Sequence, residues 1–195
     1  KLTWLLHLES WRRRGSRIII PDLRGHGDST PDGVSLGDRD AEDITALLAT
    51  LNDDRIVLVG RSLGSVVAIK AAATASNVCG VVAVAPYIHL RSTIHARVMQ
   101  HGLPTLGVVD VAMVMLAILG VRSRSTLDAA TDLATPLLII HGTSDAISPL
   151  ADAKTIANAA KQARVVEVEG AGHGNHWDLE PERLDREVES FIQSC

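Results

Sequence analysis

Ile56-Val57-Leu58-Val59-Gly60-Arg61-Ser62-Leu63-Gly64, running into the helical stretch Ser65 to Ala73, is the segment that decides how this chain folds. The apolar run predicts a buried strand, and the Gly-x-Ser-x-Gly pattern after it predicts a sharp turn into a helix with Ser62 at the apex. Glycines two residues to either side are expected on steric grounds. The serine backbone is strained, and side chains at the flanking positions would collide with the adjoining strand and helix. Such a turn lifts the Ser62 hydroxyl above the carboxyl end of a sheet. The helix N-terminus behind it offers backbone N–H groups and a positive dipole end.

Outward from this turn, short apolar runs alternate with helical patterns. Strands are expected at Arg17–Ile20, Arg55–Val59, Val78–Val84, Leu137–Ile140 and Arg164–Val168. Helices are expected at Asp38–Leu51, where Ile44, Leu47, Leu48 and Leu51 share a face, and at Ser62–Ala75, Ala151–Ala160 and Pro181–Gln193. Near-continuous apolar strands alternating with helices imply a mostly parallel sheet covered by helices on both faces, an α/β fold. Tyr87 to Thr135 breaks the alternation, with helical patterns and no clear strand. An insertion at the carboxyl edge of a parallel sheet sits over the active site. The chain therefore divides into a core, residues 1–86 and 136–195, and a small cap of two or three helices, residues 87–135.

Composition narrows the function classes. A chain of 195 residues suits one domain, and 46% apolar with 22% charged residues is an ordinary soluble balance. A net charge of −4 argues against nucleic acid as a partner. With one Phe, one Tyr and three Trp, the core must be built from Ala, Val, Leu and Ile. Neither of the two cysteines, Cys79 and Cys195, sits in a metal or redox spacing. Cys79 is expected to be buried and the compartment reducing, so the localisation expected is cytoplasmic. No signal peptide is visible. The apolar stretch Leu103–Val121 contains Asp110 and is interrupted by Pro104, Gly107 and Gly120. It suits a buried or lid helix better than a membrane span, and no stable membrane insertion is expected.

Several loops together carry a family resemblance. Pro21-Asp22-Leu23-Arg24-Gly25-His26-Gly27-Asp28-Ser29 resembles the loop after the fourth strand of α/β-hydrolases, and Gly60–Gly64 resembles their nucleophile elbow. His141-Gly142-Thr143-Ser144-Asp145 resembles the loop of the triad acid, and Gly170-Ala171-Gly172-His173 that of the triad base. In order and separation these cover nearly the whole chain. The resemblance is to the serine-dependent esterase, lipase-like and aminopeptidase-like branch. It implies a Ser-His-Asp triad, no cofactor and no metal.

The chemistry of the residues agrees. A serine hydroxyl becomes a good nucleophile when a base removes its proton. His173 is the candidate base, and then the acid for the leaving group. Asp145 would hold the imidazole tautomer and stabilise the imidazolium. Asp145 follows one predicted strand and His173 the next, so both arrive at the sheet edge that carries Ser62. The backbone N–H of Leu63 is the candidate oxyanion donor. Asp178 and Asp110 are weaker rivals for the acid, since neither follows a strand directly.

The front of the chain departs from the family pattern. Thr3 to Gly15 resembles the helix that precedes the Pro-Asp loop, with Trp4, Leu5, Leu8 and Trp11 on one face. On that reading the chain is N-terminally truncated, a fragment of a longer protein, and the strands that usually precede this helix are missing. A rival reading makes Leu2–His7 a strand and His7-Leu8 a degraded His-Gly loop. Truncation would leave a gap in the sheet or force Arg17–Ile20 to pair with Arg55–Val59. It would also remove one oxyanion donor, typically worth about 10²–10³ in rate. An exposed apolar sheet edge would follow, with a homodimer or aggregation as its consequence.

Substrate-binding candidates are Arg61, Tyr87 and Met113. Arg61 either engages a substrate carboxylate or is buried beside the sheet and paired with an acid. Met99, Met113 and Met115 either line an adaptable acyl pocket or pack in the core. His26 is expected to hydrogen-bond within its loop, and His176 to lie at the surface or pocket rim. His89, His95 and His101 lack acidic or cysteine partners at zinc-like intervals. The function expected is a serine hydrolase acting on a small-molecule ester or thioester with an apolar acyl part, through an acyl-enzyme. A serine at the elbow excludes the routes of the same fold that need an aspartate nucleophile. The alternatives are a non-catalytic truncated member or an aminopeptidase-like peptidase.

Overall fold

The computed structural model describes residues 17–29, 33–53 and 55–195. Four parallel strands form one sheet in the order β1 (Ile56–Arg61), β2 (Val78–Val84), β3 (Leu137–Gly142) and β4 (Ala163–Val168). Around them run α1 (Asp38–Ala49), α2 (Leu63–Ala72), α3 (Leu90–Gln100), α4 (Val108–Ile118), α5 (Thr126–Asp132), α6 (Leu150–Ala159), α7 (His176–Leu179) and α8 (Pro181–Ser194). Sequential strand order makes every crossover step the same way, and right-handed crossovers then put their helices on one face.

Strand alternation sorts the core into two layers. Val81, Ala83, Leu137 and Ile139 point to one face, where Leu48, Val67, Ile69 and Ile156 of α1, α2 and α6 cover them. Val82, Val84, Leu138 and Ile140 point to the other, where Leu184 and Val188 of α8 bury against them, with Phe191 and Ile192 alongside. The spacing of Leu184, Val188, Phe191 and Ile192 is one stripe of a helix, and Pro181 starts that helix where its missing N–H costs nothing. β2 and β3 are almost wholly buried and β1 only partly so, as befits a strand at the edge of the described sheet.

The strand expected at Arg17–Ile20 does not form. These residues carry no ladder, Ile19 is 44% exposed, and they do not pair with β1. The apolar run reports side chains suited to a sheet, but a strand also requires a neighbour's hydrogen bonds. The Arg17 guanidinium is instead paired with Asp53. The Thr3–Gly15 helix and its rival strand lie outside the described residues.

Two further expectations are corrected. Cys79 and Cys195 form a disulfide across a sequence separation of 116, with Cα atoms 5.5 Å apart. Cys79 sits on β2 and is only partly buried, and Gly80 beside it leaves room for Phe191 and the Cys195 sulfur. A formed disulfide is the state favoured in oxidising compartments, so cysteine usage no longer supports a reducing, cytoplasmic setting. Of the two readings of the Leu103–Val121 stretch, a buried or a lid helix, the buried one does not hold. Its helical part, α4, is eleven residues, about 16 Å long. Val109 is its one buried residue. No helix among the described residues is long and apolar enough to cross a membrane.

Between β2 and β3 the chain carries α3, α4 and α5 and no strand. This segment is tied to the rest through a buried ionic junction. Asp38, at the start of α1, accepts from Lys70 Nζ of α2 at 2.8 Å and from the backbone and side chain of Arg124 at 3.2 Å. Lys70 also donates to the Arg124 carbonyl at 2.7 Å. Burial works against the Asp38 charge, but Lys70 and Arg124 hold its pKa below the ordinary carboxylate value.

Candidate active site

The carboxyl ends of β1, β3 and β4 deliver the candidate residues to one edge. Ser62 caps α2 with φ 52° and ψ −118°, a left-handed conformation rare outside glycine. Its N–H donates to the Val84 carbonyl at 2.8 Å, and its carbonyl accepts from Ser65 Oγ at 2.5 Å. A Cβ at residue 60 would overlap the Gly64 carbonyl, so Gly60 is required for the turn to close. A Cβ at residue 64 would meet nothing within 4 Å. The steric demand expected of both glycines therefore falls on Gly60 alone.

Asp145 lies three residues beyond β3, its carboxylate wholly buried. Oδ1 accepts the Ile147 and Ser148 N–H groups at 2.8 and 2.9 Å, and Oδ2 accepts from His173 Nδ1 at 2.8 Å. Burial alone would raise its pKa, but these three hydrogen bonds and the His173 ring outweigh burial and keep it below the ordinary value. The acid loop and base loop are laced together. Thr143 N–H donates to the Val168 carbonyl, Ser144 N–H to the Ala171 carbonyl, and Gly170 N–H to Thr143 Oγ1. Gly142 is needed there because a side chain would strike the Ala171 carbonyl.

His173 Nδ1–H donating to Asp145 leaves Nε2 as an acceptor, and Ser62 Oγ lies 2.8 Å from it. The His173 side chain is 15% exposed, against 0% for Asp145. A dry carboxylate thus backs an imidazole that is partly open to solvent. The sequence-predicted Ser62, His173 and Asp145 are brought together in one hydrogen-bonded row. Leu63 opens α2 directly after Ser62, where first-turn amides have no partner within the helix.

The predicted substrate residues are placed differently. Arg61 is partly buried, and its Nη1 donates to the Gly174 carbonyl at 3.4 Å. It is paired with the backbone next to the candidate base and not with an acid. Tyr87 is 3% exposed and packs with Val66 and Leu90, inside the molecule and away from solvent. Burial, with Asp40 nearby, pushes its pKa up to about 12. Met113 is partly buried on α4, whereas Met99 and Met115 are exposed, neither core nor enclosed pocket. His26 does bond within its loop, Nδ1 to the Arg24 carbonyl at 2.9 Å.

Two histidines escaped the sequence reading. His176, expected at the surface or rim, is 1% exposed. Its burial, reinforced by His141, His173 and Arg61 against the pull of Asp145, takes its pKa down to about 4. His141, at the end of β3, is fully buried. Its Nδ1 donates to the Gly142 carbonyl at 3.0 Å, and its Nε2 stands 3.9 Å from Asp145 Oδ2. Burial lowers its pKa as well. Both rings are neutral at pH 7 and lie buried in the surroundings of Asp145. Extending the buried Leu137–Ile140 run by one residue would have flagged His141; nothing in the sequence marked His176. Among the described residues, no group of three His, Cys, Asp or Glu side chains could hold a metal ion.

Residues 2–187 match the sequence profile of the alpha/beta hydrolase family. No curated protein matches the chain. Solved structures of similar fold include an esterase of Pyrococcus furiosus, at 24% identity and TM-score 0.71, covering 89% of this chain and 68% of that one. A thermophilic esterase of Thermogutta terrifontis aligns at 21% identity and TM-score 0.71, over 98% of this chain and 85% of that one. A bromoperoxidase of Bacillus anthracis aligns at 19% identity and TM-score 0.73, over 98% and 87%.

Proposed function

The chain belongs to the alpha/beta hydrolase family, and from that premise we propose that it is a serine hydrolase cleaving an ester through a Ser62-His173-Asp145 triad. The observation that carries the reading is the row of two 2.8 Å hydrogen bonds, Ser62 Oγ to His173 Nε2 and His173 Nδ1 to Asp145 Oδ2. The esterases of Pyrococcus furiosus and Thermogutta terrifontis share the fold and make ester chemistry the natural candidate.

In this reading Ser62 Oγ attacks the acyl carbonyl as His173 Nε2 takes its proton. The tetrahedral oxyanion is met by the Leu63 N–H at the positive end of α2. Buried Asp145 keeps the proton on Nδ1 and stabilises the imidazolium, in surroundings where water does not screen the attraction. His173 then protonates the leaving alkoxide, the ester C–O bond breaks, and the acyl group remains on Ser62. Water, deprotonated by the same Nε2, attacks the acyl-enzyme and restores the serine. The buried neutral rings of His141 and His176 fit this scheme, because a cation beside Asp145 would compete with the imidazolium. Arg61 clasps the base loop through Gly174. The α3–α5 segment serves as the cap, and its apolar composition favours an ester with an apolar acyl part.

A fluorophosphonate probe tests the proposal. Labelling at Ser62, located by peptide mass, is expected to vanish in Ser62→Ala and to slow by about 10²–10⁴ in His173→Ala. A folded chain that stays unlabelled would overturn ester hydrolysis and leave the non-catalytic alternative.

A further inference from the structure

Of the twelve large apolar side chains exposed among the described residues, nine lie between Met99 and Leu119. A concentration of this kind on one stretch marks a surface that meets something other than water. Leu106 is 93% exposed and Ile118 79%. The inward side of α4 is already occupied. Val109 is buried, and Leu116 packs against the Val66, Tyr87 and Leu90 cluster. The outward side carries Val111, Val114, Met115 and Ile118. A helix apolar on nearly all sides, Asp110 its one charge, suits a buried or lipid setting, and α4 is too short to span a bilayer.

Charge decides the occupant. Between Tyr87 and Ser125 there are four arginines and one aspartate, in a chain of net charge −4. The single acid, Asp110, is consumed by Arg91 at 2.6 Å. Exposed Arg97, on the last turn of α3, precedes the apolar stretch, and exposed Arg122 follows it. An apolar face bracketed by cations fits the headgroup and acyl layers of an anionic bilayer. A second copy fits less well, because a two-fold interface sets the same patch, arginines included, against itself.

We propose that the Met99–Leu119 face docks this protein on an anionic lipid surface, with α4 lying in the interface plane and Arg97 and Arg122 on lipid phosphates. Its consequence, that the ester is drawn from the lipid layer, rests on the proposed hydrolase activity; the docking itself does not.

The test is co-sedimentation of the whole chain with vesicles of phosphatidylcholine alone or with 30% phosphatidylserine, read without any substrate. Binding at least about tenfold tighter to the anionic vesicles, weakened by salt, is expected. The double variant Leu106→Asp/Ile118→Asp should abolish binding, and Arg97→Glu/Arg122→Glu should remove the preference for anionic lipid. Both change exposed side chains, and circular dichroism and melting verify that they fold. Equal binding to both vesicles, or none, overturns the proposal. So does a dimer by light scattering that Ile118→Asp dissociates without any vesicle binding. Fluorophosphonate labelling of Ser62 is scored separately, so failure of docking and failure of the hydrolase reading are told apart.

Discussion

His176 shows how a single buried side chain couples stability to pH. In an unfolded chain its imidazole takes a proton near pH 6.5, whereas in the fold it does so at about 4. Between those values the unfolded state binds a proton that the native state refuses. Stability therefore falls as pH drops through the window and levels off below it, by about 3 kcal/mol in total for this residue. His141 acts in the same direction. The Asp145 pKa is lowered too, so it acts in the same direction in a more acidic window. Its lowered pKa contributes stability above the unfolded value of 3.8, and that contribution is lost as pH falls through the folded value. Melting curves from pH 7 to pH 4 should show a falling Tm, and His176→Phe should flatten the slope between pH 6.5 and 4. A slope unchanged in the variant would mean that His176 is not held neutral by the fold. At this scale Ser62, Asp145 and His173 were legible because each stands just past a strand. Parallel strands carry their carboxyl ends to one edge, so position in sequence becomes proximity in space. His176 was illegible because the four-residue helix it opens is too short to show a periodicity that separates inside from outside.

Among elements, the junction of Asp38, Lys70 and Arg124 joins α1, α2 and the segment before α5. Lys70 is 8% exposed and Asp38 likewise. Removing one partner strands the other charge away from water, so Asp38→Asn should destabilise by about 3–5 kcal/mol. The double replacement Asp38→Leu/Lys70→Met should recover most of that loss, since it removes both charges. Urea titrations of the two variants check this, and a single variant as stable as the parent would show that the junction is not isolated from solvent. Boundaries of the elements were close to what the sequence suggests. Val78–Val84 matches at both ends, and β1, β3 and β4 differ by one or two residues. Buried parallel strands read as unbroken apolar runs, which Gly, Pro and charge clusters punctuate. Arg17–Ile20 carries the same pattern without the structure, because the pattern records burial preference and says nothing of a hydrogen-bonding neighbour.

For the molecule as a whole, the link from β2 to the last residue ties the chain's end to the sheet. A disulfide spanning 116 residues restricts the unfolded chain far more than the folded one. Loop-closure entropy puts its contribution at about 4–5 kcal/mol. Reduction, or Cys195→Ser, should lower Tm by roughly 10–20 °C in a chain of this size. Insensitivity to reductant would mean that the bond is not formed in solution. From sequence alone came the α/β class, the alternation that makes the sheet parallel, the turn at Ser62, and the loops that hold Asp145 and His173. These follow from local chemistry, from glycine where a backbone must close, and from apolar runs of strand length. Tertiary structure alone decided that Cys79 meets Cys195, that His141 and His176 are buried, and that Arg61 binds a carbonyl instead of an acid. It also decided which side of α4 faces out. Each is a contact between segments distant in sequence or a choice among equally apolar faces, and no local pattern carries that information.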